Sequence, residues 1–188
     1  IVRSEALRGA LHDPAHAQAL EALWAHSGVI ADLATLALKT GHVRGIQADA
    51  AYTLGMFHDC GLALLCKRFP AYAHALAQPG AWPDILALDR DNHMHHAMMG
   101  QMVAKNWLLS EDIVLAIRHH HDPAVGALPE PVARLCALLN FAIHMHNRRT
   151  RTGDGEWENI WKAETSRRLG LGEDDLADWE SAVEDLAG

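Results

Sequence analysis

The sequence Leu54-Gly55-Met56-Phe57-His58-Asp59-Cys60-Gly61 places an adjacent histidine and aspartate at the end of an apolar helical run. Histidine offers a neutral nitrogen to a borderline metal ion, and aspartate offers an anionic oxygen that can bridge two ions. A buried carboxylate without a partner is costly, so Asp59 must pair with a cation or take up a proton. The pair therefore predicts a metal site or, as the alternative, a carboxylate–histidine pair without metal.

Further histidines lie in the predicted helices on both sides of this pair. His26 lies one helix upstream, His96 one helix downstream, and His120 and His121 end the helix after that. Metal sites in helical bundles are built from ligands that project inward from several facing helices. Simpler interpretations are a core histidine at position 26 and, at 119–121, cations favoured by a helix C-terminus. The combination favours a cluster of ligands.

The remaining pattern predicts an all-α fold. Apolar residues make up 49% of the 188 residues, and alanine and leucine, which favour helix, outnumber β-branched residues. The stretch 70–90 is predicted as a short helix and a loop, because Pro79-Gly80 and Trp82-Pro83 interrupt it. The other predicted helical runs are 3–11, 15–40, 46–66, 91–107, 110–121, 129–149, 157–169 and 173–187. Trp157, Trp161 and Trp179 are expected to cover one face of the core.

Composition also bounds the class of protein. The net charge of −8 argues against a nucleic-acid surface, which needs a basic stripe. No run approaches the roughly 18–20 apolar residues of a membrane span, and no secretory leader is visible. A cytoplasmic protein is expected, and Cys60, Cys66 and Cys136 are then buried free thiols. Ile1 in place of methionine indicates a trimmed or excised chain.

Five sequence blocks resemble, in order, motifs of the HD superfamily of metal-dependent phosphohydrolases. The closest resemblance is to the HDOD domain, a bacterial signalling output domain. The blocks are Trp24-Ala25-His26-Ser27 (W-x-H-S), the stretch 55–61 (G-L-L-H-D-I-G), 96–100 (H-A-x-x-G), 107–110 (W-x-L-P) and 116–121 (A-I-x-x-H-H). The resemblance, over about residues 20–145, implies an irregular HD-type helical bundle with the histidine/aspartate cluster between central helices.

The resemblance also implies a domain organisation. Residues 1–188 are expected to form a single HDOD-like domain, with an HD-like core at 15–148 and a C-terminal helical extension at 156–188. A complete HDOD domain usually has an additional helical stretch before the part seen here. That N-terminal stretch is expected to be missing, because little chain precedes His26.

The metal centre that the resemblance implies would hold one or two divalent ions, of iron, manganese, zinc or nickel. Its ligands would be His26, His58, Asp59, His96, His120, His121 and Asn140. HD proteins carry an aspartate at the last of these positions, and Asn140 offers a carbonyl oxygen without charge. Asp59 is then the single anionic ligand, so we expect weaker metal binding than in a full HD enzyme. His93 is expected beside His96, one helical turn away.

Two further departures bear on function. HD-GYP phosphodiesterases place a phosphate-binding lysine after the motif glycine, where this chain has Leu62. They also continue from the histidine pair into a G-Y-P loop, where this chain has Asp122-Pro123. With Asn140, these departures favour a regulatory output module without catalysis. Such a module would act through a protein partner or an adjacent sensor or receiver domain.

The alternative function is metal-dependent phosphoester or nucleotide hydrolysis. A bound metal would lower the pKa of its water and hold the phosphoryl oxygens. The retained histidines and Asp59 favour this function. Lys105 and Arg118 are the candidates for contacts to the substrate phosphate.

Overall fold

The computed structural model describes residues 9, 11, 13–122 and 127–187, and the regular structure within them is all helical. A 3-10 turn (Pro14–His16) precedes α1, and a π-helical turn (Trp157–Trp161) precedes α9. The helices are α1 (Ala17–Lys39), α2 (Ala48–Phe57), α3 (Gly61–Arg68), α4 (Pro70–Leu76), α5 (Ile85–Asn92), α6 (His96–Asn106), α7 (Glu111–His119), α8 (Glu130–Thr150), α9 (Lys162–Leu169) and α10 (Glu173–Ala187). The predicted all-α fold is confirmed. The run predicted at 3–11 falls largely outside the described residues.

Helix α1 forms the centre of the bundle and packs on α2, α4, α8 and α10. Its apolar residues recur at a spacing of three or four, so one broad face is buried, including Leu23, Ile30 and Leu33. Helix α2 crosses this face closely, because Gly55 has no side chain to hold it away from Ala31. The close crossing brings the end of α2, which His58 follows, beside the middle of α1, where His26 lies.

The prediction of one helical run over 46–66 is wrong at the His-Asp pair. Helix α2 ends at Phe57, residues 58–60 form turns, and α3 begins at Gly61. Backbone bonds of the i to i−3 type replace helical ones here, from Cys60 N to Phe57 O (3.0 Å) and from Leu62 N to Asp59 O (2.9 Å). The change in direction places His58 and Asp59 at a buried corner.

The predicted run over 91–107 is also divided. Helix α5 ends at Asn92, and His93 follows in the left-handed conformation with φ 54°, which cannot continue a helix. Helix α6 begins only at His96. The expectation that His93 lies one turn from His96 on the same helix is therefore wrong.

The C-terminal segment packs onto α1 and α8 through its tryptophans. Trp157, Trp161 and Trp179 are all buried, as the sequence predicts. Trp179 stacks on Phe141 with ring centroids 3.6 Å apart, and its indole N–H donates to the Ala37 carbonyl at 2.9 Å. The three cysteines are buried and free, as expected. Within the described ranges, every helix is too short or too polar to cross a membrane.

One buried ionic network ties α8 to the C-terminal segment. The His144 ring lies on α8, with Nδ1 2.7 Å from Asp154 Oδ2 and Nε2 3.5 Å from Glu180 Oε1. Burial alone lowers the pKa of His144, but the hydrogen bond to Asp154 and the nearby carboxylate of Glu180 outweigh it and raise this pKa above its usual value. The imidazolium therefore holds both the loop after α8 and helix α10.

We expect Gly55→Ala to destabilise the fold, because the added Cβ would lie 2.5 Å from the Cα of Ala31. Separating α1 from α2 costs roughly 1–3 kcal/mol. Gly28→Ala is the control, since this α1 glycine has nothing within 4 Å of an added Cβ. The control should gain about 0.5–1 kcal/mol. Chemical denaturation measures both, and equal effects would contradict the close crossing.

The His144 network predicts a pH dependence of stability. A folded-state pKa above the unfolded value of about 6.5 stabilises the folded protein fully below that pH. This contribution is lost as pH rises through the raised pKa of His144. Asp154 and Glu180 face the ring, and Arg148 and Lys162 lie beside Glu180.

His144→Gln should therefore lose more stability relative to wild type at pH 6 than at pH 9. Urea denaturation at several pH values measures the difference. A stability difference that stays constant across this range would show that the ring contributes by packing alone.

Candidate metal centre

The carboxylate of Asp59 lies at the centre of a buried group of imidazoles. Its Oδ1 is 3.3 Å from His96 Nε2 and 3.6 Å from His120 Nε2, and its Oδ2 is 3.4 Å from His58 Nε2. Asp59, His96, His120 and His121 can each direct one ligand atom to a common point. His26, His58 and Asp59 form a second such group, and within each group the atoms lie within 4.8 Å of one another.

Backbone carbonyls fix the orientation and tautomer of two of these rings. Nδ1 of His58 donates to Gly55 O, and Nδ1 of His120 donates to Ile117 O, both at 2.7 Å. A carbonyl oxygen can only accept, so Nδ1 must carry the proton. In the neutral ring Nε2 is then a bare lone pair, and it is aimed at Asp59.

Carboxylates hold two further rings in the same way. Nδ1 of His96 is 2.8 Å from Asp89 Oδ2, which also accepts from the His96 backbone N–H at 2.9 Å. Nδ1 of His121 is 2.9 Å from Glu156 Oε2. A carboxylate on the far nitrogen fixes the ring and makes the near nitrogen a better metal ligand. Asp89 is in turn held by the Tyr72 hydroxyl at 2.6 Å.

His26 is held differently from the other rings. No hydrogen bond joins its ring to another of the described residues. Its face stacks on Trp82 at 3.9 Å between centroids, and the His146 ring meets it edge-on at 5.0 Å. Among the described residues, aromatic contacts therefore orient the His26 ring.

Close helix packing brings these residues together. A Cβ at Gly61 would lie 2.1 Å from His96 O and 2.5 Å from Gly100 N. A Cβ at Gly100 would lie 2.9 Å from a side-chain carbon of Ile117. The glycines of the second and third motifs thus let α3, α6 and α7 approach until His96 and His120 reach Asp59.

Several residues of the cluster have pKa values far from the usual ones. Burial alone would raise the pKa of Asp59, but the surrounding imidazoles, with His96 protonated among them, hold it well below its usual value. Burial lowers the pKa of His26, His120 and His121 to about 3, so these rings are neutral. Burial opposes charge on His96 too, but bonds to Asp59 and Asp89 raise its pKa to about 9. A protonated His96 between two carboxylates is the metal-free arrangement of this cluster.

Asn140 lies beside the cluster and binds the backbone through its amide nitrogen. Its Nδ2 donates to His120 O at 2.9 Å and to Cys136 O at 3.0 Å. These bonds leave the uncharged Oδ1 as the one atom that could act as a ligand. Its assignment as a metal ligand stays a prediction.

A cavity of about 550 Å³ opens onto the cluster. From the cluster and its neighbourhood, the lining includes His26, His58, Asp59, His121 and Asn140. The lining also includes Trp82, Asp84, Arg90, Asn147, Asp154 and Glu156. Lys105 is exposed, Arg118 is partly buried, and neither belongs to the lining. Their role as phosphate contacts stays a prediction, and Arg90 is the cation that the cavity itself offers.

Sequence reasoning missed Glu156, Trp82 and Arg90. Glu156 is 35 residues from the histidine that it binds, so no spacing rule could connect them. Burial raises the pKa of Glu156 to about 7, which places a titrating carboxyl group at the wall of the cavity. Asp89 lies seven residues before His96, and the sequence does not show that its carboxylate bonds to that ring.

Comparison with known families and structures agrees with this arrangement. The model of the HDOD domain matches residues 1–123. No curated protein matches the sequence significantly.

Three solved structures share the fold. One is a candidate phosphohydrolase from Shewanella amazonensis SB2B, with 21% identity and a TM-score of 0.56 over 87% of this chain and 58% of that one. The response regulator MmoQ from Methylococcus capsulatus str. Bath has 22% identity and a TM-score of 0.51 over 93% and 63%. A candidate signal transduction protein from Marinobacter aquaeolei VT8 has 15% identity and a TM-score of 0.52 over 88% and 38%. The chain spans less than two thirds of each of these proteins, and at these identities the likeness extends to the fold alone.

Proposed function

The chain belongs to the HDOD domain family, and we propose that it is a metal-binding regulatory module that signals through a protein partner. The main support for metal binding is that several imidazoles converge on Asp59. His58 and His120 each carry the proton on Nδ1, which leaves Nε2 bare. Two bare lone pairs beside a buried carboxylate form a ready donor set for a divalent ion.

The donor types narrow the choice of ion. Imidazole nitrogens with one carboxylate suit iron, manganese, zinc or nickel better than the all-oxygen ions magnesium and calcium. Two groups of ligands share Asp59, so one or two ions fit the cluster. Ions in both groups together would join α1, the corner after α2, the start of α6 and the end of α7.

The charge of the cavity supports regulation rather than catalysis. Its lining carries carboxyl groups at Asp59, Asp84, Asp154 and Glu156 and one arginine, Arg90. A phosphorylated substrate would meet net repulsion here unless metal ions outweigh it. Leu62, where HD-GYP enzymes place a lysine, is fully buried and offers no compensating charge.

A surface for a partner is available on the helix that begins with His96. Met98 and Met102 lie one turn apart on α6 and are 42% and 54% exposed. Exposed methionines adapt to varied apolar partners. An adjacent sensor or receiver domain seated on this face would be in contact with the helix that a metal at His96 holds. This placement supports the proposed role.

The second candidate function is phosphoester hydrolysis by the loaded metal centre. Arg90 favours it, because this cation lines the same cavity as Asp59 and His121. Arg90 would bind a phosphoryl oxygen, and Asp59 would help to hold the metal. The ion would supply an activated water when bound.

We expect protein purified without chelator or histidine tag to carry about one or two equivalents of iron, manganese, zinc or nickel. His120→Ala should lower the affinity for added metal by at least about tenfold. His119→Ala is the matched control, because its ring bonds to Asp122 at 3.0 Å, outside the cluster. Plasma mass spectrometry measures the metal content. A chain that stays empty on titration, or equal losses in both variants, would refute metal binding by this cluster.

The regulatory function predicts that the manganese- or iron-loaded protein turns over no phosphoester faster than its Asp59→Asn variant. The substrates are p-nitrophenyl phosphate, nucleotides and cyclic dinucleotides. Colorimetric phosphate release and chromatography detect the products. Activity that disappears in Asp59→Asn and falls about tenfold or more in Arg90→Gln would instead establish the hydrolase.

A further inference from the structure

We propose that the cluster comprises two unequal metal sites, and that stacking of Trp82 on His26 determines whether the weaker site fills. This inference rests on the proposed metal binding and deepens it. The stronger site, called the inner site, consists of Asp59, His96, His120 and His121. The weaker site, called the outer site, consists of His26, His58 and Asp59.

The two oxygens of Asp59 face the two sites separately. Oδ1 lies 3.3 Å from His96 Nε2 and 3.6 Å from His120 Nε2. Oδ2 lies 3.4 Å from His58 Nε2. The carboxylate can therefore contribute one oxygen to each site without moving, and it provides the anionic charge that both sites share.

The inner site is preorganised by bonds to every one of its imidazoles. His96 and His121 bond through Nδ1 to Asp89 and Glu156, and His120 bonds to Ile117 O. The rings therefore need little reorientation when an ion binds. Asp89 and Glu156 also bring negative charge close to a divalent ion at this site.

Within the described part of the chain, the outer site has neither hydrogen bonds to all of its rings nor carboxylates bonded to them through Nδ1. His58 is fixed by its bond to Gly55 O, but His26 has only ring contacts. The nearby Asn140 side chain is uncharged, and its Nδ2 is committed to backbone carbonyls. An ion at the outer site would meet three ligand residues instead of four, and one of its rings has no hydrogen-bonded anchor among the described residues.

Trp82 provides the main orientation of the His26 ring. The two rings are nearly parallel, at 4°, with centroids 3.9 Å apart. Trp82 lies in the segment between α4 and α5, is partly buried and lines the cavity. Because stacking covers a ring face and leaves the nitrogens at its edge free, Trp82 can hold His26 for an ion without blocking it. Trp82 is thus a positioning residue of the outer site.

The test is a titration of the metal-free protein with Co²⁺ and, separately, Mn²⁺ at pH 8 against a competing chelator. Bound metal is counted by plasma mass spectrometry, and Co²⁺ absorption reports the coordination of each ion. We expect two binding steps in wild type, with the first at least about tenfold tighter than the second. Trp82→Ala should leave the first step within about twofold and weaken the second by about tenfold or more.

Two further variants separate stacking from general damage. Trp82→Phe keeps an aromatic face and should retain most of the second step, whereas Trp82→Leu keeps apolar bulk and should lose it. In a His26→Ala background, Trp82→Leu should have no further effect on either step. Circular dichroism checks that each variant folds, and the phenylalanine–leucine comparison decides the question if Trp82→Ala does not.

The outcomes distinguish this inference from the proposed function. Equal weakening of both steps by Trp82→Leu, or no change in the second, would overturn the role of Trp82 while metal binding stands. Two steps of equal affinity in wild type would overturn the inequality of the sites. A wild-type protein that binds neither metal would overturn the proposed metal binding and this inference with it.

Discussion

Burial of the Asp59 carboxylate is the constraint on which the centre of this structure depends. The side chain is only 6% exposed, and an isolated charge so placed would be strongly unfavourable. Imidazoles from the end of α2, from α6 and from the end of α7 surround it, so three parts of the chain must meet within hydrogen-bonding range. Gly61 and Gly100 permit that approach, since a Cβ at Gly61 would overlap the backbone of α6. The motif glycines and the motif histidines therefore serve one electrostatic requirement.

The same requirement extends outward to the second nitrogen of each ring. A buried imidazole that turns Nε2 inward must find an acceptor for Nδ1–H. These acceptors lie at different distances along the sequence from their histidines. His58 and His120 use carbonyls three residues earlier, so these bonds are local. His96 uses Asp89, seven residues away, and His121 uses Glu156, which lies beyond the part matched by the family model. The C-terminal segment, held to α8 through His144, thus completes the surroundings of the cluster.

The difference between local contacts and contacts distant in sequence explains which features the sequence could predict. His26, His58, Asp59, His96, His120 and His121 were identified from short motifs, and the structure brings them together. Most helical runs followed from apolar periodicity, but helix α5 begins at Ile85, inside the stretch that was predicted as loop, so that prediction was wrong. The break after Phe57 and the left-handed His93 were also missed, because tertiary packing and single backbone angles decide them. Glu156 and Trp82 act through contacts between segments distant in sequence, and no local pattern records such contacts.

The distribution of charge in the structure changes what the uncharged Asn140 implies for metal binding. Counted along the sequence, the ligand set has one anion, which argues for weak binding throughout. In the structure, Asp89 and Glu156 lie behind the rings of His96 and His121, so negative charge accumulates on that side of Asp59. The side that holds His26 and Asn140 has no carboxylate bonded to its rings in the described residues. In the proposed metal centre, asparagine in place of aspartate at position 140 would therefore reduce the charge on the half of the cluster where Trp82 stacks on His26.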